Sequence, residues 1–119
     1  MSFLNEIHKQ NFEKLSKQIK LNVMDGERSA LMYIISGNTD LYNKRNSIYN
    51  FDENVLKFTT FRKCSNDFCS SSKSLIRLGA NLYNGYSDKY TNPLNLLMNL
   101  NYDNCNLAIN ALYLRFFNY

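Results

Sequence analysis

The stretch Asn104-Cys105-Asn106-Leu107-Ala108-Ile109-Asn110-Ala111-Leu112-Tyr113-Leu114-Arg115-Phe116-Phe117 decides the fold reading. Placed at about 100° per residue, Leu107, Ala108, Ile109, Ala111, Leu112, Leu114 and Phe116 leave almost no polar face. Between residues 90 and 119 only Asp103 and Arg115 carry charge, and Asp103 is placed to cap this helix. A helix that is apolar on every side belongs at the centre of a bundle or in a subunit contact. The expected architecture is therefore all-α: a single helical domain over residues 1–119, with four to five helices packed round the C-terminal one.

Working outward, Asn92-Pro93 reads as a helix start, a cap followed by proline at the first helical position, continued by Leu94, Leu96, Leu97, Met98 and Leu100. Ser65 or Ser72 opens a further helix through Leu75, Ile76, Leu78, Leu82 and Tyr83, which Asn84-Gly85 closes. At the other end, Leu4, His8, Phe12, Leu15 and Ile19 share one stripe of a first helix capped by Asn5. Asp25 caps the second, whose inward face is Ala30, Leu31, Ile34 and Ile35, with Gly37-Asn38 as a left-handed stop. Residues 38–64 mix turn formers with Tyr42, Tyr49, Phe51, Phe58 and Phe61 and read as an irregular, aromatic-rich middle of short helices. Within it, residues 55–61 alternate as a short strand would, with no evident strand to pair with.

The chain has 119 residues and a mass of 14.0 kDa, the size of one domain. Hydrophobic residues at 45%, charged residues at 20%, 4 glycines and 1 proline exclude disordered and fibrous classes. The net charge of +4 comes without a basic tail or dense block, so it favours acidic partners only weakly. No apolar run approaches the roughly 18 residues of a membrane span, and the N-terminal residues do not read as a secretory signal. Three cysteines suit reduced thiols in a cytoplasmic setting. The 19 asparagines, with abundant Lys, Ile, Phe and Tyr, reflect AT-rich coding.

Few residues invite chemistry. His8 is the one histidine, and its place on an apolar stripe reads as a structural polar residue of the core, hydrogen-bonded to a carbonyl, Asn or Tyr. Arg115 reads likewise, serving helix-end carbonyls or pairing with Asp40 or Asp52. Cys64, Cys69, Cys105 and His8 lack zinc-knuckle spacing, and no metal or cofactor is expected. Ser70-Ser71-Ser72-Lys73 matches the S-x-x-K pattern of penicillin-recognising enzymes without its companion motifs, and no glycine-rich phosphate loop is present. The expectation is a protein that is not an enzyme.

Two stretches carry a resemblance: residues 3–15, Phe3-Leu4-Asn5-Glu6-Ile7-His8-Lys9-Gln10-Asn11-Phe12-Glu13-Lys14-Leu15, and residues 36–45, Ser36-Gly37-Asn38-Thr39-Asp40-Leu41-Tyr42-Asn43-Lys44-Arg45. With the apolar ending Asn104–Phe117, they resemble small uncharacterised proteins, domain-of-unknown-function families of low-GC Gram-positive bacteria and their phages. The resemblance implies a helical domain in a bacterial cell and no assigned reaction.

The functional expectation is a non-enzymatic module, phage or mobile-element encoded, that binds a host or defence protein stoichiometrically. An anti-CRISPR-type inhibitor is its sharpest version. Tyr42, Arg45, Tyr49, Tyr86 and Tyr90 are the candidate protein contacts. The alternative is a nucleic-acid accessory factor using Lys44, Arg45, Arg62 and Lys63. A homodimer through the charge-poor C-terminal helices is compatible with either, and no membrane association is expected.

Overall fold

Asparagine and aspartate side chains set where most of the helices begin. Asn5 accepts the His8 N–H, Asp25 the Arg28 N–H, Asn38 the Leu41 N–H and Asn92 the Asn95 N–H, each satisfying an orphan donor of a first turn. Part of the asparagine excess thus has a structural use. The protein is described by a computed structural model over residues 1–57 and 68–117. The chain runs through α1 (Glu6–Gln18), α2 (Gly26–Ser36), α3 (Thr39–Asn43), α4 (Arg45–Ile48), β1 (Tyr49–Asn50), β2 (Val55–Leu56), α5 (Ser70–Asn84), α6 (Pro93–Leu97) and α7 (Tyr102–Phe117). The fold is mostly helical, with four helices of 11 to 16 residues and three of 4 or 5 among the described residues. The middle carries short helices, as its sequence suggests, and the Asn92 segment also folds into a single short helix.

The centre of the bundle is α2, not the C-terminal helix. Every residue of α2 from Ser29 to Ser36 is buried, packed against α1, α3, α5 and α7. Each fully buried Leu or Ile there contributes about 1.5–3 kcal/mol of burial free energy. Helix α7 buries only Leu107, Ala108, Ala111 and Leu114, one stripe with two alanines that allow close approach. Uniform apolarity says that a helix can be buried, whereas neighbours on all sides decide which one is.

Helix ends correct several expectations. Gly37 has φ −93° and ψ −1°, so it is no left-handed stop. Its lack of a side chain serves packing instead: a Cβ there would clash with Leu107 Cδ1 and lie 2.9 Å from His8 Nε2. Gly85, at φ 81°, is the left-handed residue that the Asn84-Gly85 pair predicts. Helix α5 starts at Ser70 with Cys69 at the cap position; Ser72 lies inside its first turn, and Ser65 falls outside the described residues. Helix α7 is opened by Asn101, whose side chain accepts the Asn104 N–H at 2.9 Å, and Asp103 sits in the first turn.

Strand β2 has a partner after all. It pairs antiparallel with β1, Tyr49 opposite Leu56 and Asn50 opposite Val55, with Asn54 in the left-handed region at φ 58°. The remainder of the expected strand, residues 58–61, lies outside the described residues. No helix among the described residues is long and apolar enough to cross a membrane.

Candidate functional site

The tyrosines singled out from sequence fall in different environments. Tyr49 is 1% exposed and is no protein contact. Its hydroxyl donates to Asn54 Oδ1 and accepts from Arg28 Nε at 3.2 Å, and burial pushes its pKa up to about 12. Arg28 gathers this corner: its other nitrogens donate to Asp25 Oδ2 and the Asn54 carbonyl, each at 3.1 Å, and reach the Tyr83 hydroxyl at 3.5 Å. The aromatic anchor pins the hairpin, and the cation satisfies its polar edge. Sequence spacing missed this because the two residues come from separate elements.

Tyr42 and Tyr86 are half-buried against the core. The Arg45 guanidinium lies 4.3 Å from the Tyr42 ring centroid and donates to the Tyr42 carbonyl at 2.9 Å. Lys44 is tied to Asp40 at 2.8 Å and lies over the Phe68 ring. Burial pushes the Asp40 carboxyl up, but Lys44 and Ser72 outweigh it and hold its pKa below the ordinary value. Arg62 and Lys63 fall outside the described residues, so the expected Lys/Arg set is placed only in part.

His8 is buried, and its hydrogen bonds assign the tautomer. A carbonyl can only accept, so Nε2–H donates to the Tyr33 carbonyl at 3.0 Å; Leu4 N–H donates to Nδ1 at 3.1 Å. The neutral ring uses both nitrogens, and burial lowers its pKa despite the Tyr33 carbonyl. Arg115 lies at the edge of the core, not inside it. Its Nε donates to the Leu82 carbonyl in the last turn of α5 at 2.8 Å, and its acidic neighbour at 3.7 Å is Glu27, not Asp40 or Asp52. Among the described residues no group of three or more His, Cys, Asp or Glu side chains is placed to hold a metal. Ser70–Lys73 form the first turn of α5, where Ser72 is buried against Asn38.

Two features of the surface remain. The first is the outer face of α7. Ile109, Leu112, Tyr113 and Phe116 stand at i, i+3, i+4 and i+7, all more than a third exposed, and Tyr102 extends the stripe by two turns. Beyond the helix end, Phe116 and exposed Met24 line a 360 Å³ depression together with the charged Asp25, Glu27 and Arg115. An apolar helix of this kind suits either a bundle centre or a subunit contact, and α7 has one buried stripe and one exposed stripe.

The second is an open polar cleft of about 810 Å³ along α5 and α6. Lys73, Arg77, Lys89, Tyr90, Asn95 and Asn99 are its principal walls. Tyr90 is 46% exposed, with the Arg77 guanidinium 5.2 Å and the Lys89 ammonium 5.1 Å from its ring centroid. Arg77 Nε pairs with Asp88 Oδ2 at 3.0 Å. Of the candidate contacts from sequence, only Tyr90 belongs here.

A family model described as a family of unknown function (DUF6075) matches residues 1–119. The chain belongs to that family. No curated protein and no solved structure matches it. Membership agrees with the resemblance to uncharacterised domains and assigns no reaction.

Proposed function

We propose that the chain is a non-enzymatic protein-binding module whose docking face is the outer stripe of α7. The observation that carries this reading is an uncharged helical face, Ile109, Leu112, Tyr113 and Phe116, turned to solvent. The rings of Tyr102, Tyr113, Phe116 and Phe117 are each half to four-fifths exposed. At about 200 Å² per ring they leave on the order of 500 Å² of aromatic surface in water. That is near the upper end for the largest patch on an ordinary monomer, and aromatic surface of this kind supplies binding hot spots. The partner we infer presents an apolar surface complementary to this uncharged stripe. Its sharpest form is a phage or mobile-element product that inhibits a bacterial defence protein stoichiometrically, as anti-CRISPR-type inhibitors do; the resemblance to families of bacteria and phages supports it. The occupied nitrogens of His8 argue against acid-base catalysis by that residue.

The test is a tagged pull-down from bacterial lysate with and without nuclease, comparing wild type with Leu112→Glu/Phe116→Glu. The reading expects one stoichiometric partner that survives nuclease and is lost with the variant, whose melting temperature stays near that of wild type because both side chains are exposed. Capture unchanged by the variant refutes the α7 face. A chain that pairs only with itself in light scattering moves the face to a homodimer.

A further inference from the structure

We propose that the cleft between α5 and the 88–99 segment binds a nucleotide, its phosphate between Lys73 and Lys89 and its base against Tyr90. Charge is the first reason. Three cations line the cleft, and Asp88 is the one acid among its described walls. Asp88 is already saturated: Oδ2 accepts from Arg77 Nε and the Tyr86 hydroxyl, each at 3.0 Å, and Oδ1 accepts from Tyr90 N–H at 2.9 Å and the Thr91 hydroxyl at 3.1 Å. Its charge is spent on Arg77. Lys73 and Lys89 have no acidic partner within 4.0 Å among the described residues, so no described carboxylate neutralises these two wall cations.

Preorganisation is the second reason. Asp88 fixes both Arg77 and the backbone of Tyr90, and the Arg77 and Lys89 cations sit at the Tyr90 ring. Nearly half of the Tyr90 surface stays in solvent at the cleft's edge beside these cations, and a base can pack against that part of the ring. Asn95 and Asn99 supply amide donors and acceptors to the lining, to which Ser70 and Ser74 also belong. A bare anion would use only the lysine end, and an apolar ligand would strand these polar groups. A nucleotide satisfies both ends, and the volume falls within the range of small-ligand sites. Free mononucleotides and single-stranded nucleic acid share this chemistry. None of these residues belongs to the α7 face, so the inference stands apart from the protein-binding reading.

The experiment measures fluorescence anisotropy of a labelled thymidine oligonucleotide of about ten residues, with adenosine monophosphate as competitor, starting at about 50 mM salt. Wild type is compared with Lys73→Ala, Lys89→Ala and Tyr90→Ala, each checked for an unchanged melting temperature. Two phosphate contacts predict a slope of log affinity against log salt near −1.4, from roughly 0.7 per phosphate on a single strand, and each lysine variant removes about half of it. Tyr90→Ala weakens binding about tenfold and leaves the slope in place. Displacement by the mononucleotide identifies the free nucleotide as a ligand; oligonucleotide binding that resists it identifies the chain. No binding of either probe at about 50 mM salt, or binding indifferent to both lysine variants or to Tyr90→Ala, overturns the proposal.

Discussion

Replacing Gly37 by alanine separates a packing role from a conformational one. At φ −93° and ψ −1° alanine is allowed, so the backbone alone predicts a gain of about 0.4–1 kcal/mol from a stiffer unfolded chain. The surroundings predict the reverse. The new methyl would overlap Leu107 Cδ1 and stand 2.9 Å from His8 Nε2 and 3.0 Å from His8 Cε1. Leu107 is fully buried, and His8 is tethered at both nitrogens, so neither can swing into open space. Relief requires α1 or α7 to shift away from α2, an overpacking cost of about 1–3 kcal/mol. Net destabilisation is about 1–2 kcal/mol, which for a chain of this size lowers the melting temperature by roughly 3–8 °C. Urea and thermal unfolding followed by circular dichroism read it directly. The partner experiment is Leu107→Ala, which alone costs about 2–5 kcal/mol as a cavity. In the Gly37→Ala/Leu107→Ala double variant the methyl occupies part of that cavity, so the two effects fall short of additive by about 1 kcal/mol. A Gly37→Ala protein as stable as wild type, or strict additivity, would refute the claim that Gly37 is a contact between α1, α2 and α7.

Three further outcomes are expected. The His8 pKa is depressed in the folded state, so the unfolded chain binds the extra proton; stability is full above 6.5 and falls as pH drops below it, and an imidazole that titrates in the native state at or above 6.5 by NMR would contradict the assignment. Arg28→Ala removes the cation shared by Asp25, Tyr49 and Asn54 and should cost about 1–3 kcal/mol after allowance for its partial exposure, with Arg28→Lys failing to restore it; urea unfolding checks both. The Ser71 and Ser72 hydroxyls and the Ser72 N–H lower the Cys69 thiol to about 7, so peptide mapping of iodoacetamide labelling across pH should give a midpoint there that rises in Ser71→Ala, and a wild-type midpoint near 9.0 would remove the effect.

Local chemistry was legible residue by residue. Asn5, Asp25 and Asn92-Pro93 mark helix starts, Asn84-Gly85 marks a stop, and a four-residue periodicity places His8 with Phe12 and Leu15 on one buried stripe. Each depends on interactions within a few residues, where sequence order and spatial order coincide. The candidate sites were less legible. Nothing in sequence order links Tyr90 to Lys73, Arg77 and Lys89 as one cleft, since α5 and the 88–90 turn meet only in three dimensions. Tyr49 anchors a hairpin, but in sequence an aromatic among Asn and Lys looks the same whether it does that or faces a partner.

Helical character, most of the helix starts and the place of His8 in the core are written in the local order of residues. That α2 and not α7 takes the centre, that Gly37 is needed for contact and not for conformation, and that Arg115 meets Leu82 and Glu27 depend on how the helices pack. The reason is physical: hydrophobicity is non-directional, so it states how much surface should leave water without stating against which neighbour. Two apolar helices can each fill the middle of a bundle, and the choice rests on the packing of all the others around them.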